Sequence, residues 1–439
     1  MKKTILGLTL LLICFVANAQ DTLRLDLVSA VELAIDDNPT IKIAGQEIER
    51  QDYVRKETVG YLLPNLSASG QYLYNLQTSV MYLPDGIFGE GTGGAMRFGY
   101  ANSYTGGFTL SLPLYAPALY ATLQLNREQM EQAVESARSS KIELAASVKK
   151  SYYTVLLAQS SLELIQENMS LAQDVVDDSR AAYEQGVMSQ YDLTTSEVQL
   201  SSLTPTFYQA QSALHNARLM LNMLLGLPLD MAVSLDEDLT DFSEFINEEN
   251  SHVVDLSGNA DLNLLDIQLK MLDTQLRIQK TAKLPTLAAF GSYQVLTQSD
   301  DFNIGSYDWS GTSYVGLQLD IPIFSGLSNV NKERQIKNQK TQLETQKDYA
   351  EQGLLVELQA SISNIESAKS QMEANEISKE QAADGYRISL VRYETGQGTI
   401  VELNSAQVQL IQADMNYRQS IYDYMTAQAD YEKIIGVNF

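Results

Sequence analysis

The chemically reactive side chains of this 439-residue chain are few and widely separated. Its only histidines are His215 and His252, and its single cysteine is Cys14. A zinc site needs several such ligands close together, and acyl transfer needs a nucleophile beside an oriented histidine. The positions of these residues favour neither arrangement. We therefore expect no enzyme activity, no metal site and no cofactor.

Carboxylates are the abundant ionisable groups, with 55 Asp and Glu against 30 Lys and Arg and a formal net charge of −25. This balance argues against a nucleic-acid partner, because nucleic acids are bound through cationic side chains on phosphate. One acidic segment runs from Asp236-Glu237-Asp238 to Glu248-Glu249. It lacks the glycine and ligand spacing of a calcium loop, and we interpret it as a solvated belt.

The first 19 residues have the pattern of a secretory signal peptide. A basic start is followed by the apolar stretch 5–16 and by Ala17-Asn18-Ala19, a small-x-small cleavage pattern. An uncleaved membrane anchor is the alternative, and the shortness of the stretch disfavours it. Lipidation of Cys14 is disfavoured because the bulky Ile13 precedes it. Cleavage would remove the only thiol, which excludes disulfides from the mature chain.

The remainder of the chain contains the same pattern twice. Leu63-Pro64-Asn65-Leu66 matches Leu284-Pro285-Thr286-Leu287, 221 positions later. Tyr183-Glu184-Gln185-Gly186 matches Tyr393-Glu394-Thr395-Gly396, 210 positions later, so the first half contains a longer loop. The duplication predicts a first repeat at 20–226, an acidic inter-repeat segment at 227–258 and a second repeat at 259–439.

Alternation of apolar and polar residues predicts two strands in each repeat. These strands span about 65–77, 105–114, 286–298 and 313–323. Their length suits tilted strands that cross a bilayer, and the loops at 83–103 and 299–312 suit exposed connections. Two ordinary hairpins on a soluble core are the alternative interpretation.

Long helices are predicted after each strand pair. From Leu144 onward, apolar residues recur at alternating steps of four and three, which is the spacing of a coiled coil. The long helices span about 118–185 and 327–395, without proline, and returning helices span about 190–226 and 400–436. A helix of this length extends roughly 100 Å, far more than a globular core needs.

A four-stranded membrane sheet would leave two open edges, which a bilayer does not tolerate. Closure therefore requires several copies, and three chains give a barrel of twelve strands. We predict an α+β membrane protein with two structural repeats per chain. Its fold is a trimeric 12-stranded β-barrel, with four strands per chain, continued by a long α-helical coiled-coil barrel.

The order of these elements and two turn motifs carry a family resemblance. The motifs run from Tyr183 to Leu193 and from Tyr393 to Leu403, and Pro-x-aromatic strand exits occur at Pro113/Tyr115 and Pro322/Phe324. Over essentially the whole mature chain, the sequence resembles the TolC family of bacterial outer-membrane efflux proteins.

The resemblance implies a homotrimer in outer-membrane lipid with its helical barrel in the periplasm. It also implies a passive exit duct of a tripartite efflux or type I secretion system. The expected partners are a periplasmic adaptor protein and an inner-membrane RND-type pump or ABC exporter. A non-transport coiled-coil surface protein is the alternative, and the cargo is left open.

The resemblance also places a closed constriction at the two helix turns. Tyr393 matches a bridging tyrosine of the family, Asp192 matches its acidic partner, and Glu402 matches an acid that lines the constriction. Gly398 stands where some members have a bridging arginine, and Ser405 replaces a second acid.

Physical reasoning leaves two roles open for these acids. Threefold symmetry would make one carboxylate into a ring that concentrates cations. Alternatively, Asp192 and Glu402 stabilise the positive N-terminal ends of the returning helices. We predict that Gly186, Gly396 and Gly398 supply positive φ angles at the turns.

Aromatic residues stand near the strand-to-helix junctions. Tyr115, Tyr120 and Phe324 suit a membrane interface, and aromatic packing at the junction is the equal alternative.

Overall fold

A computed structural model describes residues 23–83, 94–243 and 254–437. The predicted signal peptide at 1–19 and His252 lie outside the described residues. Apart from short 3-10 turns, the elements in chain order are β1 (Leu23–Leu25), α1 (Leu27–Asp37), α2 (Pro39–Gly60), β2 (Asn65–Tyr74), β3 (Ser79–Leu83), β4 (Gly94–Phe98), β5 (Asn102–Tyr115), α3 (Pro117–Glu184), α4 (Gln190–Leu225), β6 (Val233–Leu235), α5 (Ala260–Thr281), β7 (Thr286–Ser299), β8 (Ser310–Asp320), α6 (Ser328–Glu394) and α7 (Ile400–Ile435).

The chain divides into two compact units. Of the described residues, the first contains 23–47, 133–243, 254–265 and 346–437, and the second contains 48–83, 94–132 and 266–345. The first unit is built mainly from α1, α4, α7 and parts of α3 and α6. The second contains the sheet of β2, β5, β7 and β8 together with helical segments.

The heptad positions of α3 form a buried seam within the first unit. Val148, Val155 and Val176 are buried, as expected for apolar coiled-coil positions. The two serines of the pattern, Ser151 and Ser179, are buried as well. Ser179 is tolerated because its hydroxyl lies 3.1 Å from the hydroxyl of Ser196 on α4, so that the buried polar groups satisfy each other.

Tyr152 of α3 lies in the hydrophobic core of the first unit. Strands β1 and β6 pair in parallel, and Leu25 of β1 lies in the same core as the fully buried Tyr152. The Tyr152 hydroxyl donates a 2.8 Å hydrogen bond to Glu237. Burial, together with the neighbouring Glu237 carboxylate, raises the pKa of Tyr152 above its ordinary value.

In the acidic segment 236–243, Asp236, Asp238 and Asp241 are exposed, as a solvated belt requires, whereas Glu237 is half-buried. Glu237 also accepts a hydrogen bond from the backbone N–H of Leu27. Leu239 and Phe242 are buried, and the ring of Phe242 packs edge-on against Tyr153 at 5.3 Å. Apolar residues between the acids dock the segment on the core. The rest of the predicted belt, residues 244–253, lies outside the described residues.

Two asparagines join helix ends in the first unit, and sequence reasoning missed both. The side chain of Asn38 donates to the carbonyl of Leu224 at the end of α4 (2.7 Å) and accepts from the N–H of Thr40. Asn259 donates to the carbonyl of Ile434 at the end of α7 (2.8 Å). Each side chain satisfies one helix N-terminus and one helix C-terminus, where backbone groups lack partners.

The second unit contains an antiparallel sheet in the order β2-β5-β7-β8. Strand β2 ends at Tyr74 rather than at the expected residue 77. Strand β8 ends at Asp320 rather than at residue 323. The latter end has a clear cause, because Pro322 has no N–H to donate to a neighbouring strand.

The expected exposed loop at 83–103 is more structured than predicted. Strands β3 and β4 pair as a separate two-stranded ribbon, with Ser79 opposite Phe98, and β5 already begins at Asn102. Residues 84–93 lie outside the described residues. The ribbon occupies the longer loop that the changed repeat spacing indicated in the first half.

The two strand-to-helix junctions differ. Pro113 lies within β5 at an irregularity in its pairing with β7, and Tyr115 ends the strand. Pro322 and Phe324 lie in an irregular segment between β8 and α6, and the Phe324 side chain is exposed. Among the helices of the described residues, none is long and apolar enough to span a membrane.

Gly436 offers a test of the fold. Its φ is +75°, and a Cβ atom there would lie 2.0 Å from the carbonyl oxygen of Gly258. We expect Gly436→Ala to lower the free energy of unfolding by at least about 1–2 kcal/mol, because strain and a backbone clash act together. Thermal unfolding followed by circular dichroism measures the change.

Gly385→Ala is the matched control, because a Cβ atom at this position in α6 meets nothing within 4 Å. Alanine is favoured over glycine in a helix by about 1 kcal/mol, so this variant should be at least as stable as the original. Equal unfolding midpoints for the two variants would contradict the contact at Gly436.

Candidate functional site

The first helix turn is fixed by backbone hydrogen bonds that follow Gly186. This glycine has φ +73°, and its N–H donates to the carbonyl of Tyr183 at 2.9 Å. The N–H of Val187 donates to the carbonyl of Ala182 at 3.0 Å. The pair of bonds is a Schellman motif, which ends a helix on a left-handed residue and favours glycine there.

The second turn repeats this arrangement at Gly396. Gly396 has φ +70° and donates to the carbonyl of Tyr393, while Gln397 donates to the carbonyl of Arg392 at 2.8 Å. The predicted roles of Gly186 and Gly396 are therefore confirmed by their φ angles.

The predicted positive φ at Gly398 was wrong, since this residue is not among the left-handed glycines. A Cβ atom at Gly398 would lie 3.1 Å from the Cβ of Arg392 and 3.2 Å from the backbone nitrogen of Tyr393. Its N–H also donates to the carbonyl of Arg392 at 2.8 Å. Close approach of the chain to the end of α6, rather than its φ angle, favours glycine here.

The two acids of the predicted site stand in the first turns of α4 and α7. Ser189 caps α4 by accepting from the N–H of Asp192, and its hydroxyl donates to the Asp192 carboxylate at 2.7 Å. Thr399 caps α7 by accepting from the N–H of Glu402 at 3.2 Å. Both acids thus occupy the position that the helix-end alternative requires.

Arg392 belongs to the site, although sequence reasoning did not single it out. One guanidinium nitrogen lies 3.5 Å from a carboxylate oxygen of Glu402 and donates to the carbonyl of Gln397. Both side chains are about half exposed, so the ion pair contributes little to stability. In the sequence, its position directly before Tyr393 could have identified Arg392 as a site residue. The structure brings Glu402 to Arg392 and Asp192 to Ser189, and neither contact involves Tyr393.

Ion pairs join the two helices of each hairpin, α3–α4 and α6–α7, at different distances from the turns. In the first, Arg180 of α3 binds Glu197 of α4 at 2.9 Å, and this hydrogen bond raises the pKa of Arg180. In the second, the buried Asp414 of α7 lies 3.0 Å from the ammonium of Lys379 on α6. Arg418 approaches the other oxygen of Asp414 at 3.4 Å. The buried carboxylate thus has two cationic partners.

A groove lies between α4 and α7 beside the turns. Its lining is Tyr191, Thr194, Thr195, Val198, Gln199, Val401, Asn404, Ser405, Val408 and Gln409. Tyr191 is 71% exposed and Val198 is 61% exposed, so the groove presents apolar side chains to its surroundings. Within the described ranges, no three His, Cys, Asp or Glu side chains come together as a metal-binding group.

Comparisons with known proteins place this geometry in a wider context. The chain matches the family described as outer membrane efflux protein over residues 30–227 and 255–437. It is 20% identical over 336 residues to outer membrane protein TolC of Vibrio cholerae, which covers 75% of this chain and 76% of TolC. It is 22% identical over 435 residues to the alkaline protease secretion protein AprF of Pseudomonas aeruginosa, covering 95% of this chain and 86% of AprF.

A solved structure is also similar. The Campylobacter jejuni CmeC outer membrane channel superposes with a TM-score of 0.73 at 17% identity, covering 93% of this chain and 85% of CmeC. At this level of identity the likeness concerns the fold.

Thr399 provides a test of the turn geometry. We expect Thr399→Ala to remove the cap of α7 and to destabilise its first turn by about 1 kcal/mol. Amide hydrogen exchange at residues 400–403 should then speed up roughly fivefold, since about 1.4 kcal/mol corresponds to a factor of ten. Thr399→Ser keeps the capping hydroxyl and should exchange like the original chain. Unchanged exchange in Thr399→Ala would contradict the capping role.

Proposed function

The chain belongs to the outer membrane efflux protein family, and we propose that it acts as the outer-membrane channel of an efflux or type I secretion system. Three copies form one passive duct that carries substrates from an inner-membrane transporter to the exterior. The observation that carries the proposal is the four-stranded sheet, which has an exposed apolar face and two unpaired edges.

The edges support closure by several copies. Strands β2 and β8 are the outer strands of the sheet, with 10 and 11 residues. In a bilayer their unpaired backbone groups would cost several kcal/mol each. Pairing β8 of one copy with β2 of the next satisfies both edges, and three copies give a closed barrel of twelve strands.

The faces of the sheet support the orientation of this barrel. Leu66, Phe108, Tyr293, Val315 and Leu317 lie on one face and are all at least half exposed in the single chain. The opposite face contains mainly Ser, Thr, Gln and Asn side chains. Apolar residues on the outside and polar residues inside are the pattern of an outer-membrane barrel.

Helix α6 supports a helical barrel made of several chains. Tyr349, Val356, Ile377 and Val391 are separated by multiples of seven residues, and each is more than half exposed. Ser363, Ser370 and Asp384 occupy the other positions of this register, so the stripe is apolar at its two ends and interrupted in the middle. Exposed apolar residues at heptad spacing are typical of a seam that a neighbouring helix covers. We assign this seam to a contact between copies of the chain, in the periplasm.

Matched features support a duplicated chain with repeats at 20–226 and 259–439. Asn38 and Asn259 make the same two kinds of helix-end bond, 221 positions apart. Gly226 and Gly436 both end their helices with a left-handed φ, 210 positions apart. The acidic segment 227–258 then connects the repeats.

The groove between α4 and α7 is our proposed contact for a periplasmic adaptor protein. Exposed Tyr191 and Val198 offer apolar anchors beside the turns, and Thr194, Asn404 and Gln409 offer hydrogen bonds. The adaptor would connect the channel to an inner-membrane RND-type pump or ABC exporter.

The alternative of a non-transport coiled-coil surface protein is not favoured by the family. Membership of the outer membrane efflux protein family also supports passive conduction by this chain rather than an enzyme activity.

Asp192, Tyr393 and Glu402 form the proposed gate. In a threefold assembly, Glu402 would form a ring of three carboxylates that attracts cations and repels anions. The Arg392 guanidinium, 3.5 Å from each Glu402, weakens that field and substitutes in part for a bridging arginine at Gly398. Asp192 and Tyr393 make their gate contacts between neighbouring hairpins, with Asp192 also accepting a hydrogen bond from Ser189, the cap of α4.

The double variant Tyr393→Phe with Asp192→Ala tests the gate. Removing the hydroxyl and the carboxylate eliminates the contacts that hold the turns together, so the closed end should loosen. We expect the single-channel conductance of the purified protein in planar bilayers to rise severalfold.

Ser189→Ala is the control: it removes the cap of α4 and the hydrogen bond to Asp192 but keeps the gate carboxylate and hydroxyl, so its conductance should rise less than that of the double variant. A conductance equal to that of the original chain in the double variant would exclude these residues from the gate. Recovery of the chain as a soluble rod, without detergent, would instead contradict the channel itself.

A further inference from the structure

The polar face of the sheet is almost free of charge. Among the residues of β2, β5, β7 and β8, the single charged side chain is Asp320, at the end of β8. Hydroxyl and amide groups make up most of this face. The few aliphatic exceptions are Leu73, Pro113, Ala288 and Leu296.

An aromatic pair interrupts this polar face. Phe290 of β7 and Tyr314 of β8 lie on the same side as Ser292 and Gln318, because residues two apart on a strand share a face. Their ring centroids are 6.1 Å apart at an angle of 73°, an edge-to-face arrangement. Tyr314 is 56% exposed, so the pair presents open aromatic surface rather than a closed core.

Gly316 makes room for this pair. It stands directly opposite Phe290, and a Cβ atom at Gly316 would lie 2.8 Å from the Phe290 ring. The tip of the ring therefore lies over the glycine. The missing side chain at Gly316 allows this position, in which Phe290 remains partly exposed.

Asp320 supplies a negative charge on the same face. It stands four residues beyond Gly316 along β8, which corresponds to roughly 13 Å. Its carboxylate accepts a hydrogen bond from Gln318 at 3.0 Å and is otherwise exposed. Aromatic faces attract cations, and Asp320 attracts them over a longer range.

We propose that Phe290, Tyr314 and Asp320 form a transit site for aromatic organic cations in the channel lumen. The inference rests on the proposed function, because the polar face becomes a lumen only when the sheet closes into a barrel. Three copies then place three aromatic pairs at one level and three carboxylates at another. The rings select flat or aromatic cargo by stacking and cation–π contact, and the carboxylates raise its local concentration.

The competing interpretation is that Phe290 only fills the space above Gly316. Leucine fills a similar space without an aromatic ring, so Phe290→Leu with Tyr314→Leu separates ring chemistry from packing. Tyr314→Phe keeps both rings. Tyr293→Leu removes a ring from the opposite face and controls for general effects on the barrel.

The experiment measures the single-channel current of the purified protein in phosphatidylcholine bilayers. Tetraphenylphosphonium is the aromatic probe and tetrabutylammonium is an aliphatic cation of the same charge. The readout is the concentration that gives half of the maximal reduction in current. The original chain should respond to tetraphenylphosphonium at a lower concentration than to tetrabutylammonium.

Phe290→Leu with Tyr314→Leu should raise the tetraphenylphosphonium concentration about fivefold to tenfold, because two aromatic contacts are lost. It should leave tetrabutylammonium unchanged. Asp320→Asn should raise both concentrations, whereas Tyr314→Phe and Tyr293→Leu should change neither.

Equal responses of the original chain to the two cations would overturn the transit site while leaving the channel intact. The same conclusion would follow if the double leucine variant retained the original response. Absence of any channel current from the original chain would instead overturn the proposed function on which the site rests.

Discussion

The unpaired backbone groups at the two edges of the four-stranded sheet are the constraint on which the rest of the structure depends. Strands β2 and β8 each present one such edge, and in the proposed barrel the exposed apolar face between them lies in lipid. No water is available there to satisfy N–H and C=O groups. In the proposed barrel, partner copies satisfy both edges, and a neighbouring helix covers the exposed apolar residues of α6.

The helix turns illustrate how local backbone chemistry places the proposed gate. Left-handed glycines end α3 and α6, and hydroxyl caps begin α4 and α7 only a few residues later. This short connection fixes Asp192 and Glu402 in first turns, where the helix dipole already favours a negative charge. Each of these carboxylates can therefore stabilise the start of its helix and also take part in the proposed gate. Arg392 adds a cation within the same turn.

Much of this architecture could be predicted because it follows from periodicity. Heptad spacing after Leu144 indicated the long helices, and alternation around Leu66 and Leu317 indicated strands with one apolar face. Features that depend on contacts distant in sequence could not be predicted. The link from Tyr152 to Glu237 is one case, and the helix-end bonds of Asn38 and Asn259 are others.

The candidate site was predictable only in part, for the same reason. Glycine at positions 186 and 396 signalled left-handed turns, because an isolated glycine at a helix end usually has that role. Gly398 looked identical in sequence, yet close approach to Arg392 governs it. The side-chain hydrogen bond of Asp192 goes to Ser189, so the proposed gate contact with Tyr393 needs a neighbouring copy.

The central claim is that three copies close one barrel through the edges of β2 and β8. Electron cryomicroscopy of the detergent-extracted assembly tests this directly, because it gives both the copy number and the strand order. The account predicts three chains around one axis and twelve strands, with β8 of each copy paired to β2 of the next. A sheet that closes within one chain, or edges left unpaired in the detergent belt, would contradict it.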